Sequence, residues 1–126
     1  KQGSVVQHIV NEHLLLEPQQ YVALGRSLNA SIGIGYVYGS DLTLTNTEDE
    51  IELAKYGTDG TDGQSISIVN YGIAGFPDAT GASLNLDLNA FDVDLAQLGE
   101  NWCTSTVVFY TGDLGYPGGT NEVCKQ

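Results

Sequence analysis

Two aspartates in a glycine-rich stretch form the most metal-like string of the sequence. The stretch GTDGTDG, residues 57–63, holds Asp59 and Asp62 three positions apart. A calcium loop needs about five to seven oxygen ligands converging over about a dozen residues, with a bidentate acid at its end. No Glu closes this stretch. Because Asp-Gly pairs supply the positive φ that a hairpin requires, the stretch predicts a hairpin turn.

A second acidic group lies in the C-terminal half, near two cysteines. Carboxylates on neighbouring loops could converge with backbone carbonyls on calcium, and the weak candidates are Asp87, Asp92, Asp94, Glu100 and Asp113. The alternative is an acidic surface without a metal. The sequence has no phosphate-binding loop and no Cys/His spacing typical of a metal site. Calcium is therefore the single ion considered, and no other cofactor is predicted.

Catalytic patterns are weak throughout the sequence. Both histidines, His8 and His13, lie near the N-terminus, and no Gly-x-Ser-x-Gly turn supports a nucleophile such as Ser27. Neighbouring carboxylates such as Asp92 and Asp94 could suggest a glycosidase. In a chain with 16 acidic residues such neighbours arise by chance. We predict that the protein is not an enzyme.

The cysteines, Cys103 and Cys124, are open to two interpretations. They could form a metal or redox pair, or a disulfide that closes a loop of about 20 residues and stabilises the fold by about 3 kcal/mol. The second is favoured because the enclosed segment is glycine-rich and ends the chain. A disulfide implies an oxidising, extracytoplasmic setting. The tripeptide Asn29-Ala30-Ser31 makes Asn29 a glycosylation candidate there.

The charge of the chain excludes some partners. The chain has 16 acidic residues and four basic ones, which gives a formal net charge of −12. The basic residues are Lys1, Arg26, Lys55 and Lys125. Such a charge repels nucleic acid and anionic membrane surfaces. No apolar run reaches the length of about 18 residues that a membrane-spanning helix needs. The absence of Met and of a recognisable signal peptide leads us to expect a processed or trimmed chain.

Alternating apolar and polar residues predict an all-β chain. Strand patterns cover residues 21–24, 31–39, 41–46, 48–56, 64–71, 82–88 and 104–110. Turn residues separate them at a spacing of about ten residues, which is typical of a β-sandwich or barrel. Residues 91–99 could form a helical turn or two, with Asp92 as the cap.

Six strings occur in the order and spacing of one family. They are LEPQQYVALGRS (16–27), YVYGSDLTLTNTEDEIELA (36–54), VNYG (69–72), GASLNLD (81–87), NWC (101–103) and GDLGYPGGTNEVC (112–124). Together they resemble the lamin tail domain family, most closely its secreted bacterial branch. The resemblance implies an immunoglobulin-like β-sandwich over residues 17–126 with a C-terminal disulfide, and a binding, anchoring or assembly role without catalysis.

The opening strands of the family pattern have no counterpart before Leu14. Three explanations stay open: the chain is a fragment or cleaved product, a neighbouring copy donates a strand, or the domain is compact and rearranged. A sandwich without its first strands exposes open edges, which a donated strand can cover. Residues 1–16 then form an extension, and its donor-strand candidates are Val5, Val6, Ile9, Val10, Leu14 and Leu16.

These observations predict a non-enzymatic structural or assembly module, extracellular or at the cell surface. Its expected partner is protein, above all further copies of itself, and head-to-tail strand donation would build an open fibre. The alternative is an accessory module of a larger secreted protein that binds polysaccharide or calcium.

Overall fold

The computed structural model describes residues 8–11, 13–29, 32–55, 63–78 and 80–124. Asp59 and Asp62 of the glycine-rich stretch, and Val5 and Val6 of the extension, lie outside these ranges. The described chain forms six strands: β1 Ala23–Gly25, β2 Ile34–Val37, β3 Asp49–Ala54, β4 Ser65–Tyr71, β5 Leu84–Leu86 and β6 Trp102–Thr104. Its helices are short 3₁₀ turns, Leu88–Ala90, Leu95–Gln97, Gly99–Asn101 and Tyr110–Gly112. The prediction of a β-rich chain with little helix is confirmed.

The longest pairing is the antiparallel hairpin of β3 and β4. Ile51 faces Val69 across the ladder, and Glu52 faces Ile68. Lys55 N–H donates to the Gln64 carbonyl at 2.9 Å, which carries the pairing toward the glycine-rich stretch. A hairpin over this part of the chain was the prediction from Asp-Gly turn chemistry. Each face of the hairpin mixes apolar and polar side chains, because Ile68 pairs with Glu52 and Ser67 pairs with Leu53, and a bulge shifts the register after Leu53.

Two further pairs complete the strand structure. β1 and β2 run parallel, with Ala23 opposite Ile34, although residues 26–33 are fewer than the dozen or so that normally connect parallel strands. β5 and β6 run antiparallel, with Asn85 opposite Cys103. In the described part of the chain each of these sheets has two strands. The described sheets therefore establish a β-rich fold, and the immunoglobulin-like sandwich stays an expectation.

Two predicted strands are wrong, and in both segments an acidic side chain accepts a hydrogen bond from a backbone N–H group that a strand would use. Residues 41–46, all of them described, form no strand, since Thr45 N–H donates to the Asp49 carboxylate at 3.0 Å. In the segment 104–110 the strand ends at Thr104, and Thr106 N–H donates to the Glu122 carboxylate at 2.7 Å. Side-chain acceptors of this kind compete with a β-ladder for the same donors.

The predicted helical turn within residues 91–99 is present as Leu95–Gln97. The Asp92 carboxylate accepts from the backbone N–H of Asp94 at 2.9 Å and of Leu95 at 3.2 Å. Asp92 thus closes the start of the turn, as an N-terminal cap does.

The core of the described chain is small. Its buried apolar side chains are Ala23, Tyr36, Ala90 and Ala96, and the buried polar residues are Asn85 and Ser105. Many large apolar side chains stay exposed, among them Leu53 on β3 and Ile66 on β4. A chain of this length normally buries about two thirds of its surface, so these exposed side chains are available for contact with another molecule.

Candidate functional site

We define the N-terminal arm as residues 8–16, of which residue 12 is not described, and the body as the rest of the described chain. The arm lies on the body and has no regular secondary structure. Of its donor-strand candidates, Ile9, Val10 and Leu16 are exposed and Leu14 is half-buried. Burying one side chain of this kind contributes about 1.5–3 kcal/mol. The arm therefore carries apolar surface that the described fold leaves in water.

His8 fastens the start of the arm to the body. Its Nδ1 lies 2.8 Å from Asp41 Oδ2, and its Nε2 lies 2.7 Å from the Tyr36 hydroxyl. The His8 ring also packs edge-on against Tyr36, with centroids 5.5 Å apart. Tyr36 lies on β2 and is 7 % exposed, so the anchor reaches the buried core. Sequence reasoning missed this group, because nothing in the spacing links His8 to an acid 33 positions later.

A tight turn joins the arm to the body. Gln20 N–H donates to the Glu17 carbonyl at 2.9 Å, and Glu17 N–H donates to the Gln20 side-chain carbonyl at 2.9 Å. Pro18 and Gln19 occupy the two central positions, and Gln19 has φ = 66°. A turn with Pro followed by a residue of positive φ is type II, and its second central position favours Gly. Gln19 therefore strains the turn that connects arm and body.

The C-terminal tail, which we define as residues 121–124, is held beside β5 by a disulfide and by hydrogen bonds. The predicted disulfide between Cys103 and Cys124 is present, with Cα atoms 5.6 Å apart. Cys124 N–H donates to Asp87 Oδ2 at 2.8 Å, and the Asn121 amide donates to the Leu86 carbonyl at 3.0 Å. The tail therefore contacts the C-terminal end of β5 and the residue that follows it.

Glu122 holds the tail against the segment that follows β6. Its carboxylate accepts from the Thr106 hydroxyl at 2.6 Å, from Thr106 N–H at 2.7 Å and from the Ser105 hydroxyl at 3.0 Å. These hydrogen bonds, that of the Thr106 hydroxyl first, lower the pKa of Glu122. Ser105 is 1 % exposed, so the carboxylate supplies a partner that a buried hydroxyl needs.

The calcium candidates do not come together around one point. The Asp87 carboxylate accepts from the backbone N–H groups of Asn89 and Cys124, in that order of effect, which lowers its pKa. The Asp92 carboxylate caps a turn. Among the described residues, which include Asp94, Glu100 and Asp113, no group of three or more His, Cys, Asp or Glu side chains could hold a metal ion. Calcium binding stays a prediction without a described site.

A cleft of about 990 Å³ opens between the loops that precede β3 and follow β4 and β6. Tyr21 and Tyr116 are exposed residues of its lining, and Asn46, Asp78 and Asn121 are among its polar residues. The lining also includes Tyr71, whose pKa is raised by burial first and by the charge of Asp49 second. The cleft therefore combines aromatic and amide groups, as small-molecule and carbohydrate sites do.

Trp102 has a structural role, and the glycosylation candidate stays undecided. Trp102 Nε1–H donates to the Ala96 carbonyl at 2.8 Å, and its ring packs against Phe76 with centroids 5.7 Å apart. These contacts give Trp102 a structural role in the fold. Asn29, the glycosylation candidate, is half-buried, and residues 30 and 31 lie outside the described ranges.

Comparisons with known proteins return no match: none among protein-family models, none among curated proteins and none among solved structures. The resemblance to lamin tail domains therefore stays a prediction from the sequence. Within the described ranges, no helix has the length and apolar character needed to cross a membrane.

Proposed function

We propose that this protein is a non-enzymatic assembly module that acts outside the cytoplasm. Copies associate with one another, and the apolar extension of one copy completes the β-structure of the next. In this proposal the immunoglobulin-like sandwich of the lamin tail family is complete in the assembly, and repeated head-to-tail donation builds a fibre.

The exposed apolar side chains of the N-terminal arm carry this proposal. Ile9, Val10 and Leu16 are exposed in the single chain, although an extended segment of this composition gains most when it pairs with a sheet edge. Over the described ranges, β3 and β4 have no third strand beside them. In this proposal the arm is the donor and an edge of the β3–β4 hairpin is the acceptor, so that one chain supplies both.

The disulfide supports the proposed location. Bonds of this kind persist in oxidising compartments and are rare in the reducing cytosol. The bond between Cys103 and Cys124 is therefore compatible with an extracellular or cell-surface protein.

A pair of matched substitutions tests the assembly. Leu16 in the arm is 50 % exposed, and Leu28 between β1 and β2 is 81 % exposed, so neither change to Asp opens a cavity in the core. Each adds the same negative charge. We expect sedimentation velocity to show association of the unmodified chain and of Leu28→Asp, and a single chain for Leu16→Asp. Association of Leu16→Asp to the same extent as Leu28→Asp would contradict the role of the arm.

A second candidate function rests on the cleft. Its aromatic and amide lining suits a neutral polysaccharide, whose sugar rings stack on exposed aromatic faces and whose hydroxyls bond to side-chain amides. Strongly acidic ligands are disfavoured by the net charge of −12. In this alternative the protein is an accessory binding module of a larger secreted protein.

Affinity electrophoresis through gels that contain soluble neutral polysaccharides tests this alternative. Tyr116 lines the cleft, and Phe91, which is similarly exposed, does not. We expect a retarding polysaccharide to lose its effect on Tyr116→Ala and to keep it on Phe91→Ala. Equal retardation of the two variants would rule out the cleft as the binding site.

A further inference from the structure

We propose that the N-terminal arm is exchanged between copies: it opens at the turn of residues 17–20, and His8 of one copy binds Asp41 and Tyr36 of a second copy. This inference rests on the proposed function and names the contact and the hinge that the assembly uses. Exchange of an identical element remakes the His8 contacts of one chain between two, and the apolar side chains of the arm, which are exposed within one chain, then contact the sheet edge of the second copy.

The anchor contact is specific enough to direct such an exchange. His8 meets a carboxylate at 2.8 Å and a phenol hydroxyl at 2.7 Å, so both ring nitrogens have partners in fixed directions. Tyr36 belongs to β2 and is almost fully buried, which fixes the position of its hydroxyl. The acceptor is therefore a formed feature of the body, and an incoming His8 from another copy finds the same groups.

The rest of the arm gives little reason for it to remain on its own body. Between the anchor and the turn, Ile9, Val10 and Leu16 are exposed. These three side chains lose little when the arm departs, so the equilibrium depends on the anchor, on the half-buried Leu14 and on the turn.

The turn favours opening. Gln19 is held at φ = 66°, a left-handed conformation that is unfavourable for a residue with a side chain. Short strained connections of this kind promote exchange of the element that they join, because opening releases the strain. The connection of arm and body is therefore the point at which a substitution shifts the balance between closed and exchanged forms.

Opposite substitutions at Gln19 test the hinge. Gln19→Gly accepts the positive φ and should lower the exchanged fraction by about threefold. Gln19→Pro cannot adopt a positive φ and should raise it by a similar factor. Thr111, at φ = 51° in a separate loop, supplies the control: Thr111→Gly relieves strain away from the hinge and should leave the fraction unchanged. A shift of the same sign in both Gln19 variants would overturn the hinge.

A mixing experiment tests the anchor. His8→Ala has a defective donor and an intact acceptor, and Asp41→Ala has the reverse. Asp41 is more than half exposed, so its loss leaves the core intact. We expect each variant alone to give mostly single chains by native mass spectrometry, and their mixture to regain one-to-one pairs in which one arm bridges two copies.

The outcomes separate this inference from the proposed function. If the unmodified chain assembles and both variants assemble equally well, the assembly stands and the exchange through His8 is wrong. If the mixture forms no more pairs than the separate variants do, the exchange is likewise wrong. If the unmodified chain is a single chain at every concentration, both the assembly and the exchange fail.

Discussion

At the scale of single residues, polar contacts stabilise a fold whose apolar core is small. Ser105 is the most buried side chain of those described, and its hydroxyl bonds to Glu122. Asn85 is also buried, and its side-chain amide nitrogen has no hydrogen-bond partner within the described ranges. An unsatisfied buried amide costs about 1–3 kcal/mol, which the contacts of the tail with Leu86 and Asp87 help to offset.

Gly72 occupies a position that no other residue fits. It has φ = 84°, and a Cβ there would lie 2.1 Å from the Thr47 carbonyl oxygen. Gly33 has φ = 64°, and none of the described residues has an atom within 4 Å of a Cβ placed there. We expect Gly33→Ala to lower the free energy of unfolding by about 1–2 kcal/mol through its backbone conformation alone.

We expect Gly72→Ala to lower the same free energy by more than Gly33→Ala does, because the backbone near Thr47 must move as well. Urea denaturation of the two variants measures the difference. Equal losses would mean that the contact between Gly72 and Thr47 is not maintained in solution.

Glu122 makes the tail sensitive to acid. Its pKa is lowered in the folded chain by hydrogen bonds from Thr106 and Ser105, so its contribution to stability is present above the ordinary Glu value of about 4.3 and is lost as the pH falls through the lowered pKa. We expect Glu122→Gln to weaken the decline in stability below that value. Denaturation midpoints across the acid range measure it, and identical profiles for the variant and the unmodified chain would contradict the role of Glu122.

At the scale of elements, the sequence predicted strands well where each had a partner of matching pattern. The pairing of β3 with β4 was predicted from the alternation of both strands and from the Asp-Gly pairs between them in the sequence. Residues 41–46 show the same alternation but form no strand, since Asp49 captures a backbone donor of Thr45. The alternation of apolar and polar residues does not show which side chains will accept hydrogen bonds from the backbone. The sequence pattern alone therefore could not have excluded a strand over residues 41–46.

The candidate site was predictable in part. The apolar composition of the extension made it a candidate donor strand, and the glycine-rich segment between the two cysteines, which ends the chain, favoured the disulfide. The anchor was not predictable, because His8 and Asp41 meet only through the folded path of the chain. The strain at Gln19 was not predictable either, since Pro18 predicts a turn but not the sign of the next φ.

The disulfide should contribute much of the stability of the tail. Closing a loop of 21 residues stabilises a fold by about 3 kcal/mol in the chain-entropy treatment. We expect the double variant Cys103→Ala/Cys124→Ala to lose about that free energy of unfolding, measured by urea denaturation. An unchanged midpoint would show that the tail stays on β5 through Asn121 and Glu122 alone.

At the scale of the whole molecule, charge and apolar surface act against each other. Identical copies with a net charge of −12 repel, whereas their exposed apolar side chains attract. Salt shortens the range of the repulsion, to about 8 Å at physiological ionic strength, and leaves the apolar contacts in place. We expect added sodium chloride to increase association, as measured by sedimentation velocity. A decrease with salt would show that ion pairs dominate the contact.

The native mass of the unmodified chain, measured by light scattering over a wide range of concentrations, tests the central claim most directly. We predict a mass that rises with concentration to multiples of 13.4 kDa and returns to that of one chain in denaturant. A mass of one chain at every concentration would contradict assembly through the arm.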